Sequence, residues 1–170
     1  MSPAREWAAF AGAQFALMGV SLAAAARSKA DEALSWERQW RAAVGAPEPA
    51  NDAASRRRGL TLAYRAGGAA FALLGAVLLA SAAAGRGPFV VRQSGREALF
   101  GGVFFTACGA VLAVNGWLRR RPRGPRFLDG ELLADGEPLP FGERVAAFCA
   151  RATIVLFLAF GLRLLMSAAR

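Results

Sequence analysis

Residues 60–84 read LTLAYRAGGAAFALLGAVLLASAAA and residues 145–166 read VAAFCARATIVLFLAFGLRLLM. Each runs past the roughly twenty apolar residues that carry a helix, at about 1.5 Å per residue, through a hydrocarbon core about 30 Å thick. Neither contains Asp or Glu, and an arginine stands at the same depth in both, Arg65 and Arg151, seven residues beyond Arg58 and Arg144. Two further stretches of this kind lie at 7–26 and 98–118. All four are continuously apolar and rich in Ala and Leu, which favours helix over the alternating pattern of a membrane strand. The expectation is an all-α membrane protein with four transmembrane helices.

The arginines also reveal a repeat. A shift of 86 turns Arg58, Arg65, Phe71, Gly75, Leu78 and Leu79 into Arg144, Arg151, Phe157, Gly161, Leu164 and Leu165. A shift of 90 turns Phe15, Gly19, Leu22 and Ala23 into Phe105, Gly109, Leu112 and Ala113. Apolar coincidences are common between membrane helices, whereas an arginine at one depth in both is costly. The chain therefore reads as a single membrane domain, 1–170, made of two tandem two-helix hairpins, 7–84 and 98–166. Two spans per unit insert both copies the same way up, as parallel repeats about an axis along the membrane normal.

Composition agrees with this class. Hydrophobic residues make up 55% of 170 residues, above the roughly 45–50% apolar share of globular domains. The net charge of +9 comes from arginines clustered beside apolar runs, as at Arg56-Arg57-Arg58 and Arg119-Arg120-Arg121. There they anchor helix ends against headgroups, and nucleic acid is not an expected partner. The sequence has no histidine, so imidazole general bases, histidine triads and histidine-ligated zinc are excluded. Cys108 and Cys149 fall within spans and read as small buried hydrophobes. No Walker or Rossmann glycine motif follows a strand, and neither a cofactor nor a metal is expected. A single lysine among twenty arginines, with abundant alanine, suggests a GC-rich bacterial source.

Orientation follows from where positive residues collect. The connectors 27–59 and 119–144 hold seven and six Lys or Arg, while the N-terminus, the 85–97 connector and the C-terminus hold five between them. Positive residues are retained inside, which places the protein in the bacterial cytoplasmic (inner) membrane as a multi-pass chain. Both termini then face outward and the two large connectors are cytoplasmic. Reading the first span as a cleaved signal peptide would export the seven charges that follow it, and that span exceeds the usual signal core.

Within the first connector, Ser28-Lys29-Ala30-Asp31 predicts a helix start capped by Ser28. Ala33, Trp36, Trp40 and Ala43 then share one face of a short interfacial helix, which Gly45, Pro47 and Pro49 end. Trp7 and Trp117 mark opposite membrane interfaces. In the second large connector, Asp129-Gly130 and Asp135-Gly136 between apolar pairs predict a small cytoplasmic β-hairpin.

Glycines recur at seven-residue spacing, Gly12 and Gly19, Gly68 and Gly75, and Gly102, Gly109 and Gly116, with Gly161 in the fourth span. Such seams let helices approach closely within the chain or between copies. Gln14, Tyr64, Thr106, Asn115 and Thr153 are expected to form cross-helix hydrogen bonds. Arg65 and Arg151 lie about 10 Å deeper than Arg58 and Arg144. They are candidate contacts for an anion or a lipid headgroup, set against simple snorkelling of their stems.

Trp36, Trp40-Arg41, Glu48-Pro49 and then Arg65 followed by Gly67-Gly68 and Gly75 resemble the pattern of small bacterial membrane-hairpin proteins of uncharacterised function. In that family a Trp-rich juxtamembrane segment leads through Glu-Pro-Ser to an Arg-x-x-Gly second helix. Ala50 stands here in place of that serine. The resemblance covers residues 10–84 and implies architecture, here duplicated, with no activity attached.

The expected function is a non-enzymatic accessory or interaction component that self-associates or binds another membrane protein through its glycine seams and cytoplasmic loops. The alternative is a small oligomeric transporter or channel for an anion, using Arg65 and Arg151. A membrane enzyme using Asp52, Asp129 or Glu131 ranks third, because no spacing singles those acids out.

Overall fold

The structure, a computed structural model, describes residues 3–47, 52–85, 94–119, 126–128, 131–133 and 140–169, with side chains described outside 115–119 and the two short strands. The described residues form five helices: α1 (Pro3–Ala24), α2 (Ala26–Val44), α3 (Ala53–Ala83), α4 (Gly95–Arg119) and α5 (Phe141–Ala168). Four of them, α1, α3, α4 and α5, are long and apolar enough to cross a membrane. The chain is a multi-pass membrane protein whose spanning elements are all helices. Strands β1 (Arg126–Leu128) and β2 (Glu131–Leu133) pair antiparallel with Phe127 opposite Leu132. The expected hairpin is thus present in its two paired strands, and both Asp-Gly pairs, Asp129-Gly130 and Asp135-Gly136, lie outside the described residues.

Helix boundaries follow their caps. Asp52 accepts a 3.2 Å hydrogen bond from the Ala54 amide and starts α3 seven residues ahead of the apolar run at 60. With 31 residues, α3 measures about 46 Å at about 1.5 Å per residue, so its arginine-bearing first turns extend past a hydrocarbon core of about 30 Å. Asp52 is therefore engaged as a cap. Ser94 and Glu97 form a reciprocal capping box at α4: the Glu97 amide donates to Ser94 Oγ at 3.3 Å and the Ser94 amide to the Glu97 carboxylate at 2.7 Å.

The first connector differs from expectation in one respect. Ser28 does not cap a new helix, because the α1 ladder runs almost unbroken into α2: the Ala25 amide donates to the Ser21 carbonyl at 3.0 Å and the Lys29 amide to the Ala25 carbonyl at 2.9 Å. Only Ala25 departs from helical geometry, at φ −92° and ψ 18°, and makes an elbow. An amide already bonded within a ladder has no use for a cap. The C-terminal signal holds, with Gly45 at φ 66° returning its amide to the Arg41 carbonyl.

The spanning helices pair as two hairpins, α1 with α3 and α4 with α5, and the hairpins join through α1 and α5. The glycine seams are consumed inside these hairpins. A Cβ on Gly12 would lie 2.9 Å from the Gly75 carbonyl oxygen, and one on Gly68 2.7 Å from that of Gly19. In the second hairpin a Cβ on Gly161 would come within 3.0 Å of the Gly102 carbonyl, and one on Gly109 within 2.9 Å of Leu158. These glycines face the partner helix of their own hairpin. Gly116 belongs to α4 beyond the described side chains.

These contacts also test the repeat independently of residue identity. Gly12 meets Gly75 and Leu79, and Gly102 meets Gly161 and Leu165, which are the same positions moved by 90 on one helix and 86 on the other. Phe15 lies 5.8 Å from Phe71 between ring centroids, and the shifted pair Phe105 and Phe157 lies 5.6 Å apart. One hairpin register is therefore used twice. Where Ala16 abuts Gly75, its counterpart Thr106 abuts Gly161. The Thr106 hydroxyl and the Gln14 amide oxygen are buried without a hydrogen-bond partner, so these two atoms do not supply the cross-helix bonds expected of them.

The hairpins meet in an aromatic cluster near one end of the bundle. Phe10 stacks on Phe160 at 4.2 Å with planes 13° apart and meets Phe105 edge-on at 5.0 Å. Trp7 packs edge-on against Phe160 at 4.9 Å and Phe105 at 5.5 Å. Just beyond them, the Arg163 guanidinium donates to the Glu6 carboxylate at 3.0 Å and ties α5 to α1.

Candidate functional site

At the opposite end from the aromatic cluster, the α1–α2 elbow faces the first turns of α3. The two elements are held by ion pairs. Arg57 forks onto Asp31, Nε to Oδ1 at 2.7 Å and Nη2 to Oδ2 at 2.8 Å, the bidentate geometry that suits guanidinium to carboxylate. Glu37 accepts from Arg41 on its own helix at 2.9 Å and from Arg56 of α3. Arg41 also donates to the Pro47 carbonyl at 3.0 Å, which folds the connector back. Hydrogen bonding from Arg41, reinforced by the charge of Arg56, holds the Glu37 carboxyl below the ordinary glutamate range against a smaller opposing effect of burial.

This arrangement divides the arginine triplet. Arg56 and Arg57 engage the acids of α2, and Arg58 is exposed on the neighbouring face of the helix. Residues 58, 61, 62 and 65 follow helical spacing along one side of α3. With Arg27 from the second position of α2, they line an open cavity of about 430 Å³ whose wall is Arg27, Arg57, Arg58, Thr61, Leu62 and Arg65. The Thr61 hydroxyl donates to the Arg57 carbonyl at 2.8 Å. Among the described residues, no acid lines this wall, and Arg27, Arg58 and Arg65 make no ion pair.

Arg57 is compensated by Asp31, whereas the three guanidiniums of Arg27, Arg58 and Arg65, without an ion pair among the described residues, repel one another unless an anion enters. Exposed Leu62 between Arg58 and Arg65 adds an apolar strip. Such a wall suits a ligand that carries both negative oxygens and a hydrocarbon part. No family model matches this chain, and no curated protein or solved structure is significantly similar to it. Its chemistry is therefore read from its own residues.

Of the two arginines singled out by sequence, the structure places Arg65 in this wall and Arg151 outside it. Arg151 is exposed on α5, and its neighbours Cys149, Ala150 and Thr153 line a separate space of about 220 Å³ with Gln14, Leu17, Met18, Ser21, Leu22 and Lys29. Arg27, Arg57 and Arg58 line the site with Arg65, whereas the sequence offers Arg57 and Arg58 as helix-end anchors and Arg27 only as one of the positive residues of its connector. Helical spacing offered Arg58 with Arg65, but no spacing shows that Arg27 faces α3, because the elbow at Ala25 decides it. The Glu6–Arg163 pair was likewise missed, although opposite charges near one end of the first and last spans were its available signal.

The tryptophans divide as well. Trp36 and Trp40 are two-thirds exposed, at 66% and 63%, on a side of α2 flanking its buried Ala26 and Ala30. Trp7 is enclosed by the rings of Phe10, Phe105 and Phe160, with its indole N–H buried and without a hydrogen-bond partner. Trp117 lies in α4 beyond the described side chains.

Proposed function

We propose that this chain is a non-enzymatic component of a bacterial inner membrane that holds the anionic headgroup of a phospholipid at its cytoplasmic face and presents α2 there as an interaction platform. One observation carries the reading: a cavity walled by four arginines, three of them without an ion pair among the described residues, beside an exposed leucine. Its expected depth supports it, since Arg58 sits at the start of an apolar run and Arg65 about 10 Å further along, the thickness over which headgroup gives way to acyl chain. Exposed Trp36 and Trp40 on the adjoining helix suit the same interface. The positive connectors favour the cytoplasmic side. An anion pathway built on Arg65 together with Arg151 is less well supported, because Arg151 is not part of the cavity wall.

The test is reconstitution into nanodiscs with defined mixtures of zwitterionic and anionic phospholipid, followed by native mass spectrometry of retained lipid. Each basic residue near an anionic surface contributes about 1 kcal/mol, or about fivefold. Replacing Arg27, Arg58 and Arg65 by glutamine together should therefore reduce anionic lipid retention by about a hundredfold, while Arg151→Gln leaves it unchanged. Equal retention by the triple variant would refute the headgroup site. Release of the lipid by millimolar inorganic phosphate would show that the cavity takes a free anion instead.

A further inference from the structure

The two hairpins share one internal architecture, yet the contact between them is one-sided. A twofold relation would bring α4 to α3 wherever α1 is brought to α5, because α4 corresponds to α1 and α3 to α5. Among the described residues α1 packs on α5, and no comparable contact joins α3 to α4. One docking surface of each hairpin is thus occupied and its counterpart on the other hairpin is open.

The occupied interface has a knob and a receptacle. The knob is Phe10 of α1, only 8% exposed. The receptacle is the pair Phe105 and Phe157, at 5.0 and 5.5 Å from the Phe10 ring, together with Phe160 at 4.2 Å. The repeat shifts locate the counterparts. Phe10 becomes Phe100 on α4, which is 80% exposed. Phe105, Phe157 and Phe160 become Phe15, Phe71 and Leu74 of the first hairpin. Phe15 and Phe71 lie 5.8 Å apart between centroids, close to the 5.6 Å of their counterparts, although the first pair is stacked and the second meets edge-on, and Phe71 and Leu74 are exposed. An aromatic knob and an aromatic receptacle built to the same register therefore stand unused at opposite edges of the chain.

We infer that the occupant of each is a second copy of this chain: Phe100 of one copy docks on Phe15, Phe71 and Leu74 of the next. The contact is head-to-tail, so each copy still offers one knob and one receptacle, and in the plane of a membrane such contacts propagate and close into a ring. Apolar exposure alone would be ordinary for a lipid-facing helix. What selects these positions is that a realised interface between homologous hairpins already uses their equivalents. The Glu6–Arg163 latch is not repeated, because its counterparts are Arg96 and Val77, so the contact between copies is the weaker of the two. This inference does not depend on the arginine cavity.

The experiment uses the full chain with Cys108 and Cys149 replaced by serine, in native membranes with a short bis-thiol crosslinker. Phe10→Cys with Phe160→Cys reports the interface within one chain and should give a crosslinked monomer. Phe100→Cys with Leu74→Cys should give a ladder of dimer, trimer and higher products, and neither substitution alone should give any. Absence of the ladder while the first pair crosslinks would overturn the proposal. Dimer from Phe100→Cys alone would overturn it too, since that reports a symmetric contact. Stepwise photobleaching of the labelled, otherwise unsubstituted chain in bilayers provides a readout without interface variants: several steps per spot are expected, and single steps throughout would refute assembly.

Discussion

Gly12 of α1 and Gly75 of α3 cross with their backbones in contact, so close that a Cβ on Gly12 would stand 2.9 Å from the Gly75 carbonyl oxygen and 2.9 Å from the Leu79 amide nitrogen. Obstacles of this kind are main-chain atoms, which cannot rotate aside as a side chain can. Lipid provides no hydrophobic drive between helices, so their association rests on such close packing. Gly75→Val is therefore expected to cost at least the upper part of the roughly 1–3 kcal/mol usual for overpacking. The check is the thermal midpoint of the purified protein in mild detergent.

Adjacent glycines give a sharper contrast. A Cβ on Gly67 would find only a Leu22 methyl, at 4.0 Å, whereas one on Gly68 would lie 2.6 Å from the Ala23 amide nitrogen. Gly67→Ala is expected to be neutral or to stabilise by up to about 1 kcal/mol, because alanine reduces the entropy cost of ordering the helix. Gly68→Ala is expected to destabilise. Parallel melts of the two variants decide this, and equal midpoints would contradict the seam.

Thr106 is the one place in the seam where the second hairpin substitutes a hydroxyl for the Ala16 methyl of the first. Its oxygen is buried without a partner, and such a group costs about 1–3 kcal/mol. Thr106→Ala restores the residue type of the other copy. The expected outcome is a stability equal to or above that of the parent by up to about 1 kcal/mol, and a clear loss would mean that the hydroxyl bonds to something in the membrane.

The α2–α3 clamp should loosen in acid. The folded carboxyl of Glu37 titrates below its ordinary value, mainly through the hydrogen bond from Arg41. The unfolded segment therefore binds protons more readily than the folded one. The stabilisation is complete above the ordinary glutamate pKa of about 4.3 and disappears as pH falls through the lower folded value. Hydrogen exchange of α2 amides should accelerate in that window, and Glu37→Gln should show fast exchange at neutral pH with no further acid response. An unchanged acid response in the variant would assign the effect to another group.

Much of this fold was legible because lipid imposes simple rules. Length and apolarity located four spans, and two arginines at matched depth exposed the repeat whose register Gly12–Gly75 and Gly102–Gly161 then repeat in space. The pairing of 126–128 with 131–133 was signalled by the Asp-Gly sequence between them. The elbow at Ala25 was not, since alanine carries no breaking signal and Ser28 offered a more familiar one. The candidate site was half legible for the same reason. Arg58 and Arg65 are related by periodicity, whereas Arg27 joins them only through that elbow. Arg65 and Arg151 are equivalent in sequence but not in surroundings, because α2 has no helical counterpart among the described residues of the second hairpin.

The junction between hairpins is expected to fail before either hairpin does. Phe10 contacts Phe160, Phe105, Phe157 and Trp7, and Phe10→Ala removes its ring from that cluster. In water such a change costs about 3–5 kcal/mol. Here lipid chains replace water around the separated surfaces, so only the packing term is lost and the cost should be smaller. The glycine seams of α1 with α3 and of α4 with α5 lie outside the cluster and keep each hairpin closed. Spin labels on α1 and α5 should show a broadened distance distribution in Phe10→Ala, while labels on α1 and α3 remain sharp. Glu6→Gln removes a half-exposed ion pair worth about 1 kcal/mol or less, and should broaden the first distribution only slightly. Broadening of both distributions together would mean that the four helices form one cooperative unit instead of two joined hairpins.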